Sequence, residues 1–599
     1  MMTHCSCPRR QLCNFRRVVL LLALSLGFPQ ACGPANNEAT AVPAVASGSA
    51  QSAQPGASDP PGETGAVAAA ASSTASQGGV VSGRSAGQGG ARNVILVSID
   101  TLRVDRLEAY GYRRPTSPNL AALAARSVLF EQAQAQAPQT APSHASVFTS
   151  QYAGTHGIYN VHGNQTTYPT LPTGLVTLAG LLEKSGVETA AFVCSGNLTK
   201  KMKLDRGFES WDERNEDVAL RVDAALDWLK KPRQKPFFLL LHTYQVHAPY
   251  VPPAGLVPQF TDPSYAGPLR ERLERYLKLP TDKAWEGGVG ADYWDGMLEY
   301  SDADVKFLSD LYDAEIAHVD AELRRLLEAV LVGPLAADTA IIVFADHGEE
   351  FRDHGKFQHD QTFEELVHVP LMIHLPVALE RKEWKGRVRS GVQLIDVAPT
   401  IADLFGVAWR DAGWKGRSLL PLLDPATRGV ESAKNGPRYS ELTIAGPKVY
   451  ACVTANGWKY THIHQQDLDK TWESLFDLSA DPGEKRNLLD EQGSGVPMTL
   501  RKLKDLLREQ RAKNAEAAKA AGHAGSAPMD DESRQGLEAL GYIDGSAGDG
   551  GSAADPAPQS AGEPAETPPK HEDQGAGAPQ GPDHGPDGSH MSEQKRPGF

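Results

Sequence analysis

Acidic and imidazole side chains follow three apolar segments, and these residues are the best suited to chemistry. The run NVILVSID ends at Asp100, PFFLLLHTYQVH contains His242 and His247, and TAIIVFADHGEEF supplies Asp346 and His347. A carboxylate oxygen and an imidazole nitrogen side by side can bind one divalent cation. An Asp-His pair after a strand is also a common turn or helix cap, so the pair alone does not establish a metal site.

The segment QTAPSHASVFTSQYAGTHG, which begins at Gln139, offers a hydroxyl nucleophile. Thr140 precedes Ala141 and Pro142, an order typical of a helix start, because threonine is a good cap and proline is tolerated in the first turn. Capping alone would explain Thr140. A helix N-terminus also presents unpaired amides and a positive dipole end, so a threonine there can serve as a cap and still attack an ester of an oxyanion.

The surrounding pattern indicates how these residues are positioned. Between residues 91 and 424, short apolar runs alternate with longer helical patterns, which is typical of a parallel sheet covered by helices on both faces. Ligand sites of such sheets lie beyond the carboxyl ends of the strands, so we expect the Asp and His side chains to meet there. Residues 425–544 are predicted to form a smaller C-terminal subdomain with alternating strand-like segments and one amphipathic helix.

Composition narrows the classes of protein. The chain has 599 residues and a formal net charge of -15, with both signs of charge scattered and no basic stripe, so nucleic acid is excluded as a partner. Residues 33–90 and 545–599 are rich in Ala, Ser, Gly and Pro and are predicted to be disordered. Cys194 and Cys452 are the cysteines of the foldable part, enough for one disulfide but not for a disulfide scaffold.

The first 32 residues have the order of a secretory signal. Arginines precede the apolar run VVLLLALSLGF, which is followed by PQACG. We expect export to the periplasm or the cell surface. Cys32 is a candidate for lipid attachment, which would be the one contact with a membrane, although Pro29 stands where lipoprotein signals usually carry leucine. Cleavage near Ala31 with release of a soluble protein is the alternative.

Ordered sequence blocks carry a resemblance to a known family. They are NVILVSIDTLRVDRLEAYGYRRPTSPNL, TAPSHASVFTSQYAGTHG, LHTYQVHAPYVPP, LYDAEIAHVDAEL, FADHGEEFRDHGKFQHDQTFEELVHVPLMIHLP, LIDVAPTIADLFG and LFDLSADPGEKRNLL. In this order they resemble the sulfatase branch of the alkaline phosphatase superfamily, and LEALGYIDG resembles its closing motif. The resemblance implies an α/β fold with an alkaline-phosphatase-like core, whose mostly parallel central sheet is flanked by helices, plus a small C-terminal α+β subdomain.

The resemblance also implies roles for particular residues. It places Asp100, Asp346 and His347 around one divalent metal, together with the oxygen of Thr140, which occupies the nucleophile position.

Two histidines further along the chain also lie at family positions, one of which differs between sulfatases and phosphatases. His247 matches the histidine of the H-x-P block, and His359 falls where sulfatases carry a lysine and two-metal phosphatases carry a metal-binding histidine. Both are expected to contact the transferred group or to help hold a second metal. His156, His242 and His354 are left unassigned and interpreted as structural.

Departures from the sulfatase pattern bear on the chemistry. The sulfatase nucleophile is a cysteine or serine converted to formylglycine, whereas oxidation of Thr140 would give a ketone and the unmodified side chain has one hydroxyl. His144 stands where the C-x-P-x-R motif ends in arginine, and His347 replaces the usual asparagine. Imidazole in place of oxygen ligands favours zinc or manganese over calcium.

These features predict a metal-dependent hydrolase that cleaves phosphate mono- or diesters through a phosphothreonine at Thr140. Threonine nucleophiles with Asp-His ligands occur in the phosphodiesterase and phosphoethanolamine-transferase branches, and the transferases carry several membrane spans that this sequence lacks. The alternatives are a sulfuric ester hydrolase, a phosphoethanolamine-type transferase and a non-catalytic surface binding protein.

Overall fold

Strands and helices alternate through the first two thirds of the described chain. The computed structural model describes residues 90–214, 217–278, 299–379, 384–432, 436–443, 448–490 and 496–543. The predicted signal segment with Cys32, the linker before residue 90 and the tail from residue 545 lie outside the described residues. The strands are β1 Asn93–Ile99, β2 Val128–Gln134, β3 Thr167–Thr170, β4 Glu188–Val193, β5 Ser210–Glu213, β6 Phe237–Thr243, β7 Thr339–Phe344, β8 Glu350–Phe351, β9 Phe357–Gln358, β10 His368–His374, β11 Gly386–Gln393, β12 Arg438–Thr443, β13 Lys448–Ala455, β14 Trp458–Gln465, β15 Lys470–Asp477 and β16 Gly525–Pro528.

Most α-helices of the described chain connect these strands. They are α1 Pro118–Ala124, α2 Thr140–Thr149, α3 Ala153–His156, α4 Leu178–Lys184, α5 Val218–Leu229, α6 Val257–Phe260, α7 Pro268–Tyr276, α8 Asp302–Leu331, α9 Glu364–Val367, α10 Val397–Phe405, α11 Leu420–Leu423, α12 Pro425–Ser432, α13 Val496–Ala521 and α14 Asp531–Ala539. The longest, α8, begins with a capping box in which Ser301 and Asp304 exchange side-chain and backbone hydrogen bonds.

An eight-stranded sheet in the order β11-β2-β10-β7-β1-β6-β4-β5 forms the centre of the fold. β10 runs antiparallel to both of its neighbours, and the other neighbouring pairs are parallel. Every residue of β1, β6 and β7 is buried, because helices cover both faces of these central strands. The predicted α/β fold with a mostly parallel sheet is confirmed.

A second, antiparallel sheet in the order β12-β13-β14-β15 lies in the C-terminal part. The long helix α13 packs on it, and Leu503 and Leu507 share its apolar cluster. These elements correspond to the α+β arrangement expected after residue 425, while the exact division at residues 424 and 425 stays a prediction.

A buried ionic cluster connects the second sheet to the segment before β10. Lys459 Nζ lies 3.0 Å from Glu364 Oε1 and 3.0 Å from Glu484 Oε1. Glu364 N donates to Glu484 Oε2 at 2.6 Å. The charge of Lys459 offsets the cost of burying two carboxylates, so these contacts fix the second sheet against the segment that contains Glu364.

The described residues also bear on a possible disulfide and on membrane-spanning helices. Cys194 and Cys452 are buried and neither forms a disulfide, so the single bridge that the sequence allowed is not made. Among the described residues, we find no helix that combines the length and the apolar character needed to cross a membrane.

The contact between α5 and α8 offers a test of the packing beside β6. His318 Nε2 on α8 lies 3.2 Å from both carboxylate oxygens of Asp217, the N-cap residue of α5. Burial alone would lower the pKa of His318, but its hydrogen bond to Asp217 and the charge of that residue outweigh burial and raise it. The same pair lowers the pKa of Asp217 against the effect of burial.

We expect His318→Gln to lower the free energy of unfolding by roughly 1–2 kcal/mol near pH 5.5 and by little at pH 9. Because the pKa of His318 is higher in the folded than in the unfolded protein, its ion pair stabilises the fold fully below the unfolded-state pKa. This stabilisation is lost as the pH rises through the folded-state pKa. The lowered pKa of Asp217 stabilises the fold at both pH values of the test and is lost only in strongly acidic solution. Urea unfolding at both pH values measures the difference. His523→Gln, at an exposed histidine, is the control, and an equal loss at both pH values would contradict the assignment.

Candidate active site

Neighbouring strands deliver the predicted metal ligands to one edge of the central sheet. Asp100 follows β1, His242 lies near the end of β6, and Asp346 and His347 follow β7. β1 pairs in parallel with both β6 and β7, so the three carboxyl ends lie side by side. All four side chains are buried. The convergence expected from the sequence is present.

Helix α2 brings Thr140 to the same edge. The extended residue before the helix, and therefore its N-cap, is Gln139, so the capping alternative for Thr140 is wrong. The Thr140 hydroxyl donates to Asp100 Oδ2 at 3.1 Å. Ser143 Oγ of the same helix donates to the Asp346 carbonyl at 2.7 Å, which fixes α2 against the end of β7.

The side chains around Thr140 place oxygen and nitrogen atoms within ligand distance of one point. His347 Nε2 lies 3.5 Å from Thr140 Oγ1, 3.5 Å from Asp346 Oδ2 and 3.8 Å from Asp100 Oδ1. One ligand atom from each of Asp100, Asp346 and His347 lies within 4.8 Å of the other two. His347 Nδ1 donates to the Gly348 carbonyl at 2.9 Å, so the neutral ring directs its Nε2 lone pair at the carboxylates.

The hydrogen bonding of this cluster fits a divalent cation. In the described part of the chain, Asp100 Oδ1 and both carboxylate oxygens of Asp346 have no hydrogen-bond donor. Burial raises the pKa of Asp100 to about 8 and the pKa of Asp346 well above its ordinary value. Facing carboxylates and an imidazole lone pair repel each other unless a positive charge lies between them. Two carboxylates, one imidazole and one hydroxyl match the ligands of zinc and similar metals.

A second group of buried side chains lies beside this cluster. His247 Nε2 lies 3.0 Å from the Tyr542 hydroxyl and 3.3 Å from His359 Nε2, and the rings of His359 and His347 are 4.5 Å apart. Burial lowers the pKa of His247 to about 3 and the pKa of His359 to about 4, so both rings are neutral. The structure therefore brings both predicted histidines to the metal cluster.

The contacts of His247 decide which of its ring nitrogens carries the proton. Its Nδ1 lies 2.6 Å from the Ala248 carbonyl, which can only accept, so Nδ1 carries the proton. A neutral imidazole has one N–H, and His247 Nε2 is consequently an acceptor. The Tyr542 hydroxyl is then its donor, and His359 Nε2 lies 3.3 Å away.

The alternative of a second metal at His247 and His359 lacks further ligands. Within the described ranges, no cysteine, carboxylate or other histidine completes a three-ligand group with these two nitrogens. Another acid-histidine group, Glu350, His354 and Glu365, is satisfied internally: His354 Nδ1 contacts Glu365 Oε1 at 2.6 Å, and Glu350 Oε1 accepts from the His354 amide at 2.8 Å. These contacts fit the interpretation of His354 as structural, which stays a prediction.

Three site residues received no role from the sequence. His242 Nε2 lies 3.5 Å from Asp100 Oδ2, and His144 Nδ1 donates to the Thr140 carbonyl at 2.8 Å while lying 3.4 Å from Asp346 Oδ2. Tyr542 comes from the closing motif LEALGYIDG, which was recognisable as a motif without indicating where its tyrosine lies. His156 instead bonds Ser146 and a nearby backbone amide, as a structural histidine does.

A hydroxyl at a helix N-terminus beside an Asp-His cation site, at the carboxyl edge of a parallel sheet, defines a metal-dependent hydrolase of the alkaline phosphatase superfamily. The family profile "Sulfatase" matches residues 92–407, which is more than half of the chain, and the profile "N-sulphoglucosamine sulphohydrolase, C-terminal" matches residues 352–513. The chain belongs to the sulfatase family. It is thereby an enzyme, and the family is metal dependent; the specific metal is a separate question.

Similar proteins refine the comparison. The chain is 24% identical to a Delta 4,5-hexuronate-2-O-sulfatase of Bacteroides thetaiotaomicron, over 66% of this chain and 84% of the relative. It is 26% identical to arylsulfatase K of Gallus gallus, over 69% of this chain and 82% of the relative. A crystal structure of a phosphonate monoester hydrolase of Agrobacterium radiobacter shares the fold, with a TM-score of 0.55, 21% identity and coverage of 70% and 96%. Both curated relatives are named as sulfatases, so the predicted preference for phosphate esters has no support from them.

Proposed function

We propose that this chain hydrolyses sulfuric esters by direct attack of the Thr140 hydroxyl on sulfur. The observation that carries the proposal is the hydrogen bond from Thr140 Oγ1 to Asp100 Oδ2 within the cluster of Asp100, Asp346 and His347. The names of the curated relatives support sulfate as the transferred group, and one of them supports a sulfated uronic acid or a related sugar as the substrate class.

The side chains of the site suggest an order of events. The Thr140 proton passes to Asp100 Oδ2, its present acceptor, and the threonine oxygen attacks sulfur in line. The bond between sulfur and the alcohol oxygen breaks, the leaving alkoxide takes a proton from a water molecule, and a sulfothreonine and a hydroxide remain. The hydroxide, oriented by a hydrogen bond to His247 Nε2, attacks sulfur and breaks its bond to the Thr140 oxygen. Asp100 returns the proton to that oxygen, and hydrogen sulfate is released.

Other residues support this reaction through charge. A divalent cation held by Asp100, Asp346, His347 and Thr140 would lower the pKa of the threonine hydroxyl and offset charge on the transferred group. We favour zinc or manganese over calcium, because His347 supplies a nitrogen. The positive end of the α2 dipole lies beside the nucleophile and favours negative charge there.

The route differs from the formylglycine route in its second half. Thr140 has one hydroxyl, so the sulfate cannot leave by collapse of a geminal diol and must be displaced by water. The arginine position that ends the modification motif is also changed. It is occupied by His144, whose two ring nitrogens hydrogen-bond to Ser98 and to the Thr140 carbonyl.

Phosphate or phosphonate ester hydrolysis is the second candidate. The observation that favours it is the single hydroxyl of Thr140, because water can hydrolyse a phosphothreonine without help from a second hydroxyl. The imidazole of His347 beside that hydroxyl, as a metal ligand, is a second feature in its favour. In both candidates the transferred group passes from Thr140 to water. A transferase would pass it to an alcohol, and we do not propose that reaction.

Export is proposed separately, from the basic and apolar order of the first 32 residues, with lipid attachment at Cys32 as its membrane contact.

Turnover of matched aryl esters tests the function. Full-length protein loaded with zinc or manganese is assayed on one aryl sulfate, one aryl phosphate monoester, one aryl phosphodiester and one aryl phosphonate, and mass spectrometry of the quenched enzyme seeks the transferred group on the peptide that contains Thr140. A higher kcat/KM for the sulfate supports the proposal. A higher value for a phosphorus ester supports the second candidate, and a labelled residue other than Thr140 contradicts both.

A further inference from the structure

The C-terminal segment of the described chain is built into the active site. β16 pairs with β3, α14 follows, and the backbone then reaches Gly163, whose amide donates to the Tyr542 carbonyl at 2.9 Å. Leu540 and Tyr542 are buried in the main core. Anchoring by strand pairing, apolar contact and a backbone hydrogen bond makes this segment a fixed part of the fold.

The Tyr542 hydroxyl lies where an oxygen of the transferred group would need to be held. It is 3.0 Å from His247 Nε2 and 3.4 Å from His359 Nε2. The ring of His359 lies 4.5 Å from the ring of His347, whose Nε2 is 3.5 Å from Thr140 Oγ1. Burial raises the pKa of Tyr542 well above its ordinary value, so the phenol keeps its proton. A neutral phenol beside the nucleophile can donate a hydrogen bond to an oxyanion.

The acceptor that the phenol now uses is a weak one. His247 Nε2 is the lone-pair nitrogen of a neutral ring and accepts from the Tyr542 hydroxyl. An anionic sulfuryl or phosphoryl oxygen is a stronger acceptor than neutral imidazole, because charge-assisted hydrogen bonds are about twice as strong. Binding of the ester would therefore draw the Tyr542 hydroxyl from His247 to the transferred group.

We propose that Tyr542 is a catalytic residue, whose hydroxyl donates to a non-bridging oxygen of the group transferred to Thr140. This supplies the donor that His247 cannot provide, and it leaves the His247 lone pair available to the attacking hydroxide. The inference rests on the proposed function. Tyr542 also lies beyond both matched family ranges, which end at residues 407 and 513.

The test compares full-length Tyr542→Phe with wild type on a series of aryl esters of rising leaving-group pKa. Loss of one oxyanion donor is expected to lower kcat by about 10²-fold. The loss should be similar for every leaving group, because a non-bridging oxygen is not the one that departs. Tyr168→Phe is the matched control: its buried hydroxyl donates to the Gly196 carbonyl at 3.3 Å, and it lies on β3, which anchors the same segment.

Each outcome decides the inference. A Tyr542→Phe rate within about threefold of wild type, a faster rate, a loss that grows with leaving-group pKa, or an equal loss in Tyr168→Phe would overturn it. Thr140→Ala is run beside them: if it remains active, the proposed function itself has failed, whereas an inactive Thr140→Ala with an active Tyr542→Phe rejects only the role of Tyr542. If the phenylalanine variant does not fold, fluorotyrosine at position 542 keeps the ring and hydroxyl and must retain turnover.

Discussion

Thr140→Ala is expected to lower kcat/KM by at least about 10⁴-fold, the scale seen when the nucleophile of a covalent hydrolase is removed. Alanine keeps the helix start, because Gln139 is the N-cap, but it removes the one oxygen that donates to Asp100. The thermal midpoint should change little, since the lost hydroxyl is small and α2 keeps its packing. Steady-state kinetics on the preferred aryl ester, with the thermal midpoint measured in parallel, checks both statements.

Two variants of the same helix make this result specific. Thr140→Ser keeps a hydroxyl in place and should stay within roughly tenfold of wild type. Thr149→Ala removes a buried hydroxyl that donates to the Ala145 carbonyl at 2.6 Å, at the far end of α2, and should leave turnover unchanged. Activity that survives in Thr140→Ala would mean that water or another side chain is the nucleophile.

Asp346→Asn is expected to weaken cation binding by more than about 10²-fold and to stabilise the metal-free protein. Changes outside the ligand shell cost about 10 to 100-fold in affinity, and removal of a ligand should exceed this. In the absence of a cation, the same substitution removes one of two buried carboxylates that have no donor on their facing oxygens. The function of this site thus opposes its stability.

Thermal unfolding with a chelator and with added zinc or manganese measures both effects. Wild type should gain stability from the metal, whereas Asp346→Asn should start higher and gain little. Asp320→Asn is the contrasting control: this buried carboxylate already accepts from the Asn119 and Leu120 amides at 3.0 and 2.8 Å, so amidation should destabilise the protein and leave the metal response intact. A metal response that persists in Asp346→Asn would place the cation elsewhere.

The convergence of the Asp and His side chains could be predicted because it follows from a rule about backbones, whereas their role as metal ligands was implied by the family resemblance. Apolar runs that are buried on both faces indicate parallel strands, and parallel strands carry their terminal residues to one edge. Asp100, Asp346 and His347 each follow such a run within three residues, so their convergence needs no knowledge of side-chain packing. The same pattern gave the fold class, whereas the place of Thr140 beside these ligands was implied by the family resemblance.

Other features depend on contacts that the local sequence does not encode. The acceptor state of His247 is decided by the carbonyl of the following residue, which the chain happens to turn towards Nδ1. The contact of Tyr542 with His247 joins positions 295 residues apart. The preference for phosphate was inferred from Thr140 and the imidazole of His347, and the curated relatives, which are named as sulfatases, do not support it.

The distance along the chain between the nucleophile and Tyr542 has a consequence for biosynthesis. A polypeptide emerges N-terminus first, so the strands that hold Asp100 and the helix of Thr140 can form long before β16 is available to pair with β3. If Tyr542 acts as proposed, an interrupted or clipped chain would carry a cation site and a nucleophile yet turn over slowly. Completion of synthesis would then itself act as the step that switches the enzyme on.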